Sequence, residues 1–106
     1  MQDATRDHGL QPLDRVMTRW GLTNHLLVDG SAEQLNHKQV QRARKGRQLT
    51  LHLMQKLTRT LNETITARLP KEERADFTAY RHKQLFTYAK GHEDSWTDPN
   101  EPLMPK

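Results

Sequence analysis

The sequence contains no cysteine, which excludes disulfide scaffolds, thiolate metal sites and cysteine nucleophiles together. It has no run near the roughly 18 apolar residues that a membrane-spanning helix needs. Its opening residues, Met1-Gln2-Asp3-Ala4-Thr5-Arg6-Asp7, lack the apolar centre of a signal peptide. A cytoplasmic protein without membrane association is therefore expected. Aromatic residues are scarce at 6%, and hydrophobic residues make up 33% of the chain against 28% charged, near the polar edge of what still folds. With 106 residues there is room for one small core, held by packing alone.

The most informative deficit is local. Residues 34–62 contain no Asp or Glu, yet they carry seven cations: Lys38, Arg42, Arg44, Lys45, Arg47, Lys56 and Arg59. The whole chain has a formal charge of +4 and a pI near 9.7. Removing those seven charges leaves the remainder at −3, so one segment carries the positive field and its flanks oppose it.

Other absences narrow the chemistry. No glycine-rich phosphate loop or nucleophile elbow is present, and the densest carboxylates, Glu72, Glu73 and Asp76, suit a helix start, where the macrodipole favours them. His8, His25, His37, His52, His82 and His92 have neither paired i, i+4 spacing nor a carboxylate companion in a motif. No catalytic residue, metal site or cofactor is expected, and the protein reads as a non-enzyme.

Periodicity predicts an all-α fold, a compact bundle of about five short helices with flexible termini. Residues 1–11 read as a loose arm. Pro12 suits a first helical turn, Leu13, Val16, Met17 and Trp20 recur at i, i+3, i+4 and i+7, and Gly21 can end that helix. Thr23 can cap a short second helix ending near Asp29-Gly30, with Leu22 stapled onto Leu27. Both Ser31 with Gln34 and Asn36 with Gln39 have capping-box spacing, and the second pair is the better start for a third helix from His37 to Lys45. That helix buries Val40 and Ala43 and stops at Gly46.

Thr50 can cap a longer fourth helix in which Leu53 or Met54, Leu57, Leu61 and Ile65 keep helical spacing until Leu69-Pro70. A fifth helix is expected over 71–90, with Phe77, Tyr80 or Arg81, Gln84 or Leu85, and Tyr88 along one side. Residues 92–106, with three prolines and a single Trp96, read as a flexible tail. The single helical domain thus covers 12–91.

The stretches Leu22-Thr23-Asn24-His25-Leu26-Leu27-Val28, Asn36-His37-Lys38-Gln39-Val40-Gln41-Arg42-Ala43-Arg44-Lys45-Gly46, Leu49-Thr50 and Leu57 to Leu61-Asn62 resemble the Cro and lambda-repressor-like helix-turn-helix family over residues 22–62. The resemblance implies a helix-turn-helix-like core in which 37–45 is the recognition helix. Val40 and Ala43 are then its buried positions, Gly46 its C-terminal turn, and Leu57 and Leu61 core positions of the next helix. It also implies a small DNA-binding transcription regulator that forms homodimers, with the fifth helix as candidate dimerisation element. The span from Val28 to Val40 is longer than the family's tight turn, and the loop before the fourth helix is shorter.

Elementary chemistry points the same way. Duplex DNA is a dense line of negative charge, and each phosphate neutralised releases counterions. On a helix in the major groove, Arg or Lys can donate to guanine, and Gln or Asn can pair with adenine. The outward residues His37, Lys38, Gln41 and Arg42 carry such groups, while Arg44, Lys45 and Arg47 are placed for backbone phosphates. Thr23, Asn24 and Thr50 stand at helix N-termini, whose amides attract anions. Two other readings compete: a solvated basic face with no ligand, and a helical interaction or RNA-binding module whose tail around Trp96 orders on its partner. Tyr80, Arg81, His82, Phe86 and Tyr88 could stack on single-stranded bases, against which stands the packing of Phe77, Leu85 and Tyr88 at helical spacing onto the first four helices.

Overall fold

Four helices form in the order that the apolar periodicity dictates. In a computed structural model describing residues 7–92 and 95–105, α1 spans Pro12–Arg19, α2 Asn24–Asp29, α3 His37–Lys45 and α4 Leu51–Arg68. Leu13, Val16, Met17 and Trp20 are buried, and Gly21 turns the chain out of α1 with φ +72°. The Thr23 hydroxyl accepts from the Leu26 amide at 3.1 Å, satisfying a donor that a helix start leaves orphaned. Leu22 and Leu27 are buried in the same core.

Between α2 and α3 the Ser31 hydroxyl accepts from the amides of Glu33 and Leu35, folding 31–35 into a turn and burying Leu35. Asn36 and Gln39 then close a reciprocal capping box: the Gln39 amide donates to Asn36 Oδ1 at 2.8 Å, and the Asn36 amide to Gln39 Oε1 at 3.1 Å. Gly46 ends α3 in the left-handed region at φ +98°. Thr50 caps α4 through the Leu53 amide, and Met54, rather than Leu53, takes the buried position. Val40, Ala43, Leu57, Leu61 and Ile65 meet the α1 stripe in one core. The Cα radius of gyration, 13.5 Å, is close to the roughly 13 Å of a folded chain of this length. The fold is a compact all-α bundle, and among the described residues an isolated bridge between Asp7 and Arg47 is its only β-type pairing.

Past Pro70 the chain departs from the expected fifth helix over 71–90. Lys71–Asp76 is a 3-10 helix, residues 77–81 are extended, and only His82–Leu85 (α5) is α-helical. Two asparagine side chains from distant parts of the chain explain the extended stretch. Asn62 of α4 donates to the Tyr80 carbonyl at 3.0 Å and accepts from the Tyr80 amide at 2.8 Å. Asn100 treats Thr78 in the same way, both bonds at 2.8 Å. Each side chain stands in for a neighbouring strand, so these backbone groups are satisfied without a helix. Tyr80, Leu85 and Phe86 enter the core from this segment.

The described part of the expected flexible tail is packed. Asn100 is buried, Trp96 meets the Tyr80 ring edge-on, and Met104 joins the core. The Tyr80 hydroxyl accepts from Trp20 Nε1 at 3.0 Å and donates to Asp98 at 2.7 Å, tying α1, the extended segment and the tail together. The end of the expected loose arm is also held. His8 donates its amide to the Gly46 carbonyl and stacks on Tyr88 with ring centroids 4.4 Å apart. The buried Gln11 side chain accepts from the Thr87 amide at 2.7 Å and donates to the Gly9 carbonyl. Residues 1–6 of that arm, and 93, 94 and 106 of the tail, lie outside the described residues.

Candidate nucleic-acid interface

Helix α3 has two chemically opposite sides. Val40 and Ala43 are fully buried against the core, whereas His37, Lys38, Gln41, Arg42 and Lys45 are exposed. Lys38, Gln41, Arg42 and Lys45 follow at i, i+3, i+4 and i+7 and so share one face. At about 1.5 Å of rise per residue the stripe runs on the order of 10 Å, close to three phosphate spacings of about 3.4 Å along one strand. Among the described residues none of these four side chains makes a hydrogen bond or ion pair. The cations are therefore uncompensated and ready to exchange water for an anion.

Among the described residues, acids from outside the acid-free segment pair with Arg44 and Arg59. Arg44 turns inward: its Nε donates to Asp14 at 2.7 Å, and its terminal nitrogens donate to Asn24 Oδ1 at 2.8 Å and Thr18 Oγ1 at 3.3 Å. It pins α3 to α1 and α2 and is not placed for a phosphate. Its position, four residues after buried Val40, puts it on the inward side of the helix, and that spacing was the signal available in the sequence. Arg59 is held by both oxygens of Glu33, at 2.9 and 2.6 Å. The guanidinium hydrogen bond, opposed in part by desolvation, lowers the Glu33 carboxyl below its ordinary pKa.

The remaining expected site residues divide in the same manner. Thr23 and Thr50 spend their hydroxyls capping α2 and α4, and Asn24 gives its oxygen to Arg44. Arg47 is exposed just past α3, where its carbonyl accepts from the Tyr88 hydroxyl and its backbone pairs with Asp7. His37, at the start of α3, stacks on His25 of α2 with ring centroids 5.7 Å apart. His25 was not among the expected site residues, because nothing local in the sequence marks an imidazole that meets another from the preceding helix.

Of the aromatic and basic cluster over 80–88, Tyr80 and Phe86 are buried and Tyr88 is half-buried beneath His8. They offer no open face for stacking bases. Among the described residues, no group of three or more potential metal ligands converges and no helix is long and apolar enough to cross a membrane. Compared with known protein families, curated proteins and solved structures, the chain matches none.

Proposed function

We propose that the protein binds nucleic acid, duplex DNA in particular, through the exposed stripe of α3, and acts as a small DNA-binding regulator of the helix-turn-helix kind. The observation that carries this reading is the lack, among the described residues, of any partner for Lys38, Gln41, Arg42 and Lys45 on a helix whose other side is locked into the core. A rigid helix about 10–12 Å across matches the roughly 12 Å major groove. Lys38, Arg42 and Lys45 supply charge for phosphates or guanine, and Gln41 supplies the paired donor and acceptor that suit adenine. Such a role suits a cytoplasmic location. A homodimer would present two such stripes to one duplex, which is how helix-turn-helix proteins read paired half-sites.

The bland reading, a solvated basic face, predicts no localised response to DNA. Titrating a short mixed-sequence duplex into the 15N-labelled protein separates the two. The proposal expects saturable shifts concentrated on residues 37–45, weakened when Lys38 and Arg42 are both changed to Gln. Shifts spread evenly over all exposed cations, or none, would overturn it.

A further inference from the structure

A second set of cations lies around an open cleft between α4 and the segment leading into α5. The cleft holds about 450 Å³ and is lined by Arg59, Arg81 and Lys83, with His82, Gln55 and Asn62 also on its wall and no carboxylate among the lining side chains. Its volume falls within the roughly 300–1,000 Å³ of small-molecule sites. One wall is fixed, because Asn62 clamps the Tyr80 backbone on both sides. The side chains of Gln55, Arg81 and Lys83 make no hydrogen bond or ion pair among the described residues.

We infer that this cleft binds a small phosphate-bearing anion. Guanidinium groups match phosphate oxygens with paired donors, and ammonium and amide groups add further donors. Apart from Tyr80, which is only 3% exposed, the side chains that line the cleft are all polar or charged. The Arg59 guanidinium is already occupied by the Glu33 carboxylate. A phosphate would compete with that carboxylate for the same donors, so Glu33 acts as a placeholder that weakens binding until it is displaced. This site does not depend on the α3 stripe.

The test is a titration of inorganic pyrophosphate into the full-length 15N-labelled protein at constant ionic strength. The expected result is saturable shifts of the Gln55 and Asn62 side-chain amides and of the Arg81 and Lys83 signals. Replacing both Arg81 and Lys83 with Gln should weaken binding at least about tenfold, since two charge-assisted contacts are lost. Glu33→Gln should tighten it several-fold, an opposite sign that loss of folding cannot mimic. A second arm adds duplex DNA to protein carrying Lys38→Gln and Arg42→Gln. Displacement of pyrophosphate identifies backbone phosphate as a ligand of the cleft, and its absence identifies the free anion, both in keeping with a phosphate site. Absent shifts, equal shifts from sodium chloride alone, or an Arg81→Gln/Lys83→Gln protein that binds as tightly as the parent would overturn the inference.

Discussion

Arg44 Nε donates to Asp14 Oδ1 across 2.7 Å, joining the last turn of α3 to the first turn of α1. The two side chains are 19% and 29% exposed, so the pair is shielded more than a surface ion pair but is not deeply buried. This contact fixes which face of α3 looks outward, because it anchors the helix on the side opposite Lys38 and Arg42.

Arg42 and Arg44 should therefore fail in different ways. Arg44→Ala leaves Asp14 and Asn24 without their donor, and is expected to cost about 2 kcal/mol in urea denaturation. Arg42→Ala removes an exposed side chain and should change stability by less than about 0.5 kcal/mol while weakening duplex binding. Equal stability losses in the two variants would contradict the division of labour.

The left-handed glycines provide a second comparison. Gly21 and Gly46 both have positive φ, but a Cβ at Gly21 meets nothing, whereas one at Gly46 would fall 1.8 Å from the Gly9 carbonyl oxygen. Gly21→Ala should cost about 1 kcal/mol for backbone strain alone. Gly46→Ala must also push residues 7–11 off the end of α3, so thermal melts should show a clearly larger loss, about 2–3 kcal/mol. The His8 and Tyr88 ring signals should separate as well.

The asparagine clamps give a third prediction. Asn62→Ala removes two hydrogen bonds to Tyr80 and leaves its amide and carbonyl unsatisfied, at a cost of about 2–3 kcal/mol. Hydrogen exchange at the Tyr80 amide should accelerate. In Asn100→Ala the accelerated amide should be that of Thr78 instead.

Alkaline stability follows from the tyrosines. Burial, the largest cause in both, raises Tyr80 far above the ordinary phenol range and raises Tyr88 as well. The folded state thus holds these protons more tightly than the unfolded chain, whose phenols titrate near 10. Their stabilising contribution is complete below about pH 10 and is lost as pH rises toward the folded-state values. Melting temperature should hold to about pH 9.5 and decline above it, and the absorbance of phenolate should lag behind that of a free tyrosine. A native titration midpoint near 10 for both tyrosines would be inconsistent with their burial.

Most of the first 70 residues was legible because local rules decide them. Thr23, Asn36, Thr50, Gly21 and Gly46 all sit where capping chemistry places them. The stretch from 71 to 90 was not legible, since its backbone is satisfied by Asn62 and Asn100, which no window around Thr78 or Tyr80 contains. Its aromatic spacing reports burial, but burial in an extended segment rather than on a helix face. The candidate interface was half legible. Lys38, Gln41, Arg42 and Lys45 could be read from spacing, whereas charge counting alone could not separate them from Arg44 and Arg59, whose counter-charges Asp14 and Glu33 lie outside the acid-free segment.

The most direct test of the central claim is the salt dependence of duplex binding, followed by fluorescence anisotropy. Three uncompensated cations predict a slope of log affinity against log salt of about −2.7 per bound chain, and Lys38→Gln, Arg42→Gln or Lys45→Gln should each make it shallower by about 0.9. A slope near zero, or one that none of these substitutions changes, would contradict the assignment of α3 as the DNA-binding element.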